Sequence, residues 1–258
     1  MISLIAILFP LILLVFIYRY FWIIREPLFR LSEISEIDAS KLRGCRQDIG
    51  FKYKSIYLVV SIITGMGIGL LQYGLFRISV IYRTGYLFES RMSDSLGYSL
   101  MTGLILGFPL AIIICTIFMR MLGKERFAAL LSRKHGGIEV KKWFSWIGNI
   151  CISTCVFVFV LNLIAYNTYL VVTEEQISYR RWRSFPATST GINQIDHLRS
   201  FSIIDITDTG RIERKFLQVI FKDGKILNTV YLVSAARTKE LVEVLKSVHD
   251  YNLEIKKV

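Results

Sequence analysis

Histidine, cysteine and proline are all scarce in this chain, at three, four and four residues in 258. His135, His197 and His249 stand far apart, with no metal-ligand spacing and no nucleophile beside them. Cys151 and Cys155 lie one helical turn apart and Cys115 sits in an earlier apolar run, but no histidine or carboxylate accompanies them. Thiols so placed make a poor metal site and read as small apolar packing residues. No metal and no cofactor is expected. The triplet Asp208-Thr209-Gly210 matches the short motif of aspartic proteases, yet it occurs once. Those enzymes need two such carboxylates sharing a proton, and ThrAspThrGly is a good hairpin turn. The chain is expected not to be an enzyme.

Charge is missing from long stretches. Four runs are almost free of it: Ile2–Ile24, Ile56–Phe76, Tyr98–Met119 and Phe144–Tyr166. A helix crossing the hydrocarbon core needs about 20 apolar residues, so each run qualifies as a span. Arg19 lies close enough to the end of the first run to snorkel toward headgroups. Transporters and pumps usually carry ionisable groups at membrane depth, and an intramembrane protease needs paired acids or histidines there. No run has such a group near its centre. The first run also lacks the basic start of a signal peptide and ends in the aromatic, basic border IYRYFWIIREP, so it is expected to be retained.

What is abundant agrees with this. Hydrophobic residues make up 53% of the chain, and the formal net charge is +12. The Lys and Arg residues fall unevenly. Seven lie between runs one and two, three (Arg77, Arg83, Arg91) between runs two and three, and seven between runs three and four. The positive-inside rule then makes the first and third loops cytoplasmic and places both termini, with the C-terminal domain, on the periplasmic side of a bacterial inner membrane. The net charge is a topology signal plus contact with anionic lipid, and no nucleic-acid partner is expected.

Within the runs the informative residues are small. TGMGIGLL contains Gly65 and Gly69, and TGLILGFP contains Gly103 and Gly107. Each pair is a small-xxx-small motif that lets helix backbones approach closely. A nucleotide-binding loop is excluded by context, since no strand precedes these glycines. Pro109 is expected to kink the third span. Gln72 and Asn162 are expected to bond neighbouring helices. REPLFRLSEISEIDASKL has the spacing of a helix lying along the interface, and Gly136-Gly137 should end any extension of span three.

After Asn167 the apolar runs shorten to strand length. Strands are expected over Thr168–Thr173, Ile177–Trp182, Ser200–Ile206, Lys215–Lys222 and Lys225–Val233, with KDGK at Lys222–Lys225 as a hairpin turn. Leu241, Val244, Leu245 and Val248 form one stripe of a helix over Ser234–Tyr251, capped by Ser234. The predicted architecture is therefore an α-helical polytopic membrane region of four spans over residues 1–166. An α+β domain over 167–258 follows, an antiparallel sheet or barrel closed by one helix.

The order YLVVTEEQISYRRW, INQIDHL, FLQVIFKDGKI and a terminal helix resembles the bacterial pleckstrin-homology-like domains attached to membrane spans. The matching positions are Tyr169, Val171 or Val172, Thr173, Ile177, Ile192, Ile195, Phe221, Asp223 and Gly224. The resemblance covers about the final third, its motifs are structural, and the four runs lie outside it. It implies a fold akin to lipid-binding modules and a cytoplasmic domain, whereas the loop charges point to the periplasm.

Arg180, Arg181, Trp182 and Arg183 are the candidate contacts to a partner or to lipid headgroups. Strand alternation would put Arg181 and Arg183 on one face and Arg180 and Trp182 on the other, which suits a basic rim against the membrane. The function expected is that of a non-catalytic membrane protein whose C-terminal domain binds a lipid or protein partner, as scaffold, regulator or complex subunit. A second class is an immunity protein guarding a bacterium against a toxin at its inner membrane, on similarity of layout to small four-span immunity proteins. A small transporter or channel subunit is the third. An oligomer is compatible with all of them.

Overall fold

Apolar sequence with few helix breakers gives long helices, and among the described residues up to Asn167 there are four. The structure, a computed structural model, describes residues 2–29, 39–81, 85–121, 140–182, 186–207, 210–230, 232–248 and 255–257. Its helices are α1 (Ile2–Phe29), α2 (Ala39–Ile81), α3 (Leu96–Met121) and α4 (Val140–Asn167).

Three of these are long and apolar enough to cross a membrane, through Ser55–Val80, Leu96–Cys115 and Trp146–Asn167. This corrects the expectation of four spans. Among the described side chains of α1 the apolar stretch is the shorter Leu4–Arg19. The helix itself continues to Phe29. Helix α2 reaches back to Ala39, well before its apolar part. The interfacial-helix expectation falls largely on residues 30–38, and Gly136-Gly137 on 122–139, both outside the described residues.

The chain divides into two compact units. The first is Met1–Phe76 with Leu96–Leu161, and the second is Arg77–Ser95 with Asn162–Val258. In the first, α2 and α3 meet backbone to backbone along their glycines. Around Ile17, Leu106, Ile147, Cys151, Cys155 and Val158 an apolar cluster joins α1, α3 and α4. Two side-chain hydrogen bonds join α2 and α3: the Thr102 hydroxyl is within 3.1 Å of Gln72 Oε1, and Tyr57 Oη donates to the Phe108 carbonyl (3.0 Å). Pro109 lies inside α3 directly after that carbonyl.

The second unit holds two four-stranded sheets. One has the order β1 (Phe88–Arg91), β2 (Tyr169–Val172), β3 (Gln176–Arg180), β4 (Thr188–Gly191). The other runs β7 (Ile226–Asn228), β6 (Gly210–Phe221), β5 (Ile195–Thr207), β8 (Ile255–Lys257). Pairing is antiparallel except that β8 lies parallel to β5. Both sheets and helix α5 (Thr238–Val248) share one core, which includes Phe88, Leu170, Ile177, Leu198, Phe221, Leu241 and Leu245. The barrel alternative is corrected here: the sheets keep separate edges and do not close.

Local chemistry explains most of these boundaries. Gly224 takes a positive φ of 80° after Asp223, and Phe221 N donates to the Lys225 carbonyl across the turn (2.9 Å). That left-handed position favours glycine. Ser234 makes no side-chain cap. A 3-10 turn, Ala235–Arg237, intervenes instead, and the Ser234 carbonyl accepts from Arg237 N (2.9 Å) and Thr238 Oγ1 (3.3 Å).

The first strand has no counterpart in the sequence-based expectation. Phe88–Arg91 belongs to the connection between α2 and α3, yet it pairs with β2 in the register Phe88↔Val172 to Arg91↔Tyr169. Phe88 is 2% exposed, so it is a core residue of a domain whose other strands lie some eighty residues later in the chain.

Candidate functional site

The end of α4 is where an apolar helix hands over to a sheet, and its last carbonyls need partners. In a membrane helix an unpaired carbonyl at this level is costly. Leu163 O accepts from Asn167 Nδ2 (2.8 Å), Ile164 O from Thr168 Oγ1 (2.9 Å) and Ala165 O from Thr168 N (3.3 Å). Tyr166 O accepts from Arg91 Nη1 (3.0 Å). These four carbonyls are satisfied, and a cation sits at the negative end of the helix dipole.

Arg91 does more than cap. Its guanidinium lies 4.5 Å from the ring centre of Tyr166 and 5.0 Å from that of Tyr169, and its Nε pairs with Glu89. The register places Arg91, Tyr169 and Arg180 in one row across β1, β2 and β3. Adjacent strands are about 4.8 Å apart, so side chains in such a row stand together on one face. Arg180 Nη1 donates to Asn167 Oδ1 (3.1 Å), the residue that closes α4. The chain leaves β3 immediately after Arg180. Arg181 and Trp182 are exposed there, Trp182 at 54%. Arg183 lies outside the described residues.

Of the four residues read as a contact cluster, then, Arg180 is anchored at the helix exit and Arg181 and Trp182 project beyond it. Because β3 stops at Arg180, strand alternation does not govern Arg181 and Trp182. Sequence reading missed Arg91, which counted there only as a loop charge. Its signal is weak, a lone arginine after a four-residue segment with one core side chain.

The second set of candidate positions, Gly65, Gly69, Gly103 and Gly107, occupies the α2–α3 contact. A Cβ built on Gly103 would lie 2.4 Å from Gly69 N and 2.5 Å from Gly65 O. On Gly107 it would lie 2.5 Å from Gly65 Cα, and on Gly69 2.8 Å from Ser99 O. On Gly65 it would meet Leu104 Cα at 2.8 Å. At Gly67, Gly74 and Gly97 nothing stands within 4 Å.

No reactive constellation stands out among the described residues. They include no group of three or more His, Cys, Asp or Glu side chains placed to hold a metal ion. A surface groove of about 360 Å3 is lined by Gly85, Tyr86, Leu87, Thr173, Glu174 and Glu175. His197 Nδ1 is 2.8 Å from the Asp196 carboxylate on the neighbouring residue. Asp208 and Thr209, His135 and His249 lie outside the described residues. Comparison with protein-family models, with curated proteins and with solved structures finds no match for this chain.

Proposed function

We propose that this chain is a non-catalytic integral membrane protein whose C-terminal unit works at the membrane surface as a scaffold or complex subunit. In this reading Arg180, Arg181 and Trp182 rest against anionic lipid headgroups. The observation that carries it is the hydrogen bond from Arg180 to Asn167, the last residue of the α4 apolar stretch. A side chain tied to the end of a span is held at headgroup level, and the next two residues are an exposed arginine and an exposed tryptophan. Tryptophan favours that interface, and each arginine near an anionic surface contributes about 1 kcal/mol. Two sheets sharing one core with a C-terminal helix support the pleckstrin-homology-like reading of the last third.

Orientation belongs to the same proposal. The connection between α2 and α3, poor in Lys and Arg, and the C-terminal unit share one sheet, so they lie on one side of the membrane. The basic segments before α2 and after α3 would then be cytoplasmic and the sheet periplasmic, in a bacterial inner membrane. Whether α1 crosses does not enter this argument.

The test uses the full chain in vesicles, with Trp22, Trp143 and Trp146 changed to Phe so that Trp182 reports alone. Brominated lipid should quench Trp182 more strongly in phosphatidylglycerol than in phosphatidylcholine vesicles. Raised salt or the Arg180→Gln/Arg181→Gln pair should remove the difference. Equal quenching in both lipids would overturn the headgroup contact.

A further inference from the structure

The strand β1 is held in the C-terminal unit more firmly than four residues of pairing require. Phe88 fills the core beside Leu170, Val172, Leu241 and Leu245. Arg237, at the start of α5, donates from Nη1 to the Glu89 carbonyl (2.7 Å) and lies 4.6 Å over the Phe88 ring. The Glu240 carboxylate fixes that guanidinium from behind, at 2.8 Å from Nε and 2.9 Å from Nη2. From the other end of the strand, Arg91 reaches the last carbonyl turn of α4. Two guanidiniums, one from outside the strand and one from within it, thus grip a strand whose own sequence, FESR, has little tendency to form one.

The place of β1 in the chain gives this grip a consequence. Between Arg91 and Tyr169 run two apolar helices, α3 and α4. A chain that leaves by one span and returns by the next brings its ends to the same side. A chain in which α3 or α4 fails to cross leaves β1 and β2 on opposite sides, because neither strand can pass through hydrocarbon. We propose that β1 is a latch that makes completion of the C-terminal sheet conditional on insertion of the α3–α4 pair. Until both helices are in place, the core lacks Phe88, Arg237 lacks its carbonyl, and the β2 edge is open for other strands to pair with. With both in place, the latch closes and the domain is complete. The inference rests on the membrane reading above and goes beyond it.

The register supplies a direct probe in the full chain. Met92 N donates to Thr168 O (3.1 Å), so by alternation Glu89 and Val171 form a non-hydrogen-bonded pair. Cα atoms in such a pair are about 4.5 Å apart, within the range a disulfide spans. Glu89→Cys with Val171→Cys is made in a chain whose four native cysteines are replaced by serine or alanine. A protease site is added between residues 122 and 139. In membranes, oxidation should hold the two cleaved fragments together on a non-reducing gel. Arg237→Ala should reduce that yield several-fold and Arg237→Lys less, since lysine keeps one donor but loses the stacking plane. Leu104→Lys with Leu106→Lys, which blocks insertion of α3, should abolish it. A parent that stays in the membrane on alkaline carbonate washing but does not cross-link would overturn the latch alone. So would cross-linking that survives the block of α3. A parent stripped off by carbonate would overturn the membrane reading, and the conditional latch with it.

Discussion

Replacing Gly103 by Ala adds one methyl group and tests the α2–α3 contact at its tightest point. The new Cβ would stand 2.4 Å from Gly69 N and 2.5 Å from both Gly65 O and Gly69 Cα. Carbon in ordinary contact sits at about 3.5–4.0 Å, so the helices must part by about 1 Å. The obstacles are backbone atoms of another helix, and no rotamer change relieves them. Overpacking of this kind costs about 1–3 kcal/mol. A gain works against it, because alanine favours helix over glycine by up to about 1 kcal/mol. Gly67→Ala isolates that gain: it lies in the apolar stretch of α2 between Gly65 and Gly69, and nothing stands within 4 Å of its Cβ. Gly103→Ala should therefore lower the thermal midpoint in detergent, while Gly67→Ala leaves it unchanged or raises it. For a chain of this size about 1 kcal/mol corresponds to about 2–4 °C, so the two variants should separate by several degrees. Gly107→Ala should behave like Gly103→Ala, since its Cβ meets Gly65 Cα at 2.5 Å. Equal shifts for Gly103→Ala and Gly67→Ala would refute the close-contact argument and leave helix propensity as the whole effect.

Gln72→Leu removes one of three acceptors of the Thr102 hydroxyl, leaving the Tyr98 and Ser99 carbonyls of its own helix. Its cost should be small, about 0.6 kcal/mol and at most about 1.7, as for other hydrogen bonds between membrane helices, read as a modest fall in the same detergent melt. Arg237→Ala strips Glu89 O of a charged donor and Phe88 of its stacked cation. About 1.5–3 kcal/mol should be lost, seen as faster proteolysis of the C-terminal unit, with helix insertion unchanged. Glu240 is held below its ordinary value of 4.5 by the hydrogen bond from Arg237. A depressed carboxylate stabilises the fold above its unfolded value and loses that contribution as pH falls through the folded one. The Glu240→Gln variant should hence show a flatter loss of stability on acidification below about pH 4.5, a small effect because the side chain is half exposed. Alkaline phosphatase fused after Val258 should be active, and a fluorescent protein that folds only in the cytoplasm should stay dark there. The reverse would place the sheet in the cytoplasm.

The parts of the fold that were legible in the sequence are those whose signal is local. Apolar runs mark α2, α3 and α4 because a span must be apolar along its whole length. Asp223-Gly224 marks its turn because the backbone there needs a positive φ. The spacing of Leu241 and Leu245 marks α5, since both point into one core. The strands that escaped are those whose stability comes from neighbours. β1 has a single buried apolar side chain, and β4, TSTG, has none, so neither shows the alternation of a strand. Each exists because β2 and β3 offer an edge, and Arg237 secures β1 from a residue about 150 positions away. The long hairpin of β5 and β6 was only partly visible for the same reason. The expected strands Ser200–Ile206 and Lys215–Lys222 leave out Ile195–Arg199 and Gly210–Arg214, which cross-strand pairing carries.

The same distinction separates the two arginine sites. Arg180, Arg181 and Trp182 stand out in the sequence because they are consecutive, and Arg180 is fixed in place by its bond to Asn167. Arg91 is inconspicuous, yet it touches Glu89, Tyr166 and Tyr169 and caps α4. A cation so fully engaged has little capacity left for a ligand, and its role is to fix the handover from span to sheet. The exposed pair beyond β3 has a different character: in the proposed reading Arg181 and Trp182 meet the headgroup layer beside the anchored Arg180. Exchanging Arg91 for Gln should then damage folding, and exchanging Arg181 for Gln should damage lipid contact while leaving the fold intact. If Arg91→Gln left thermal stability unchanged while abolishing the lipid dependence of Trp182 quenching, the two roles would have to be reversed.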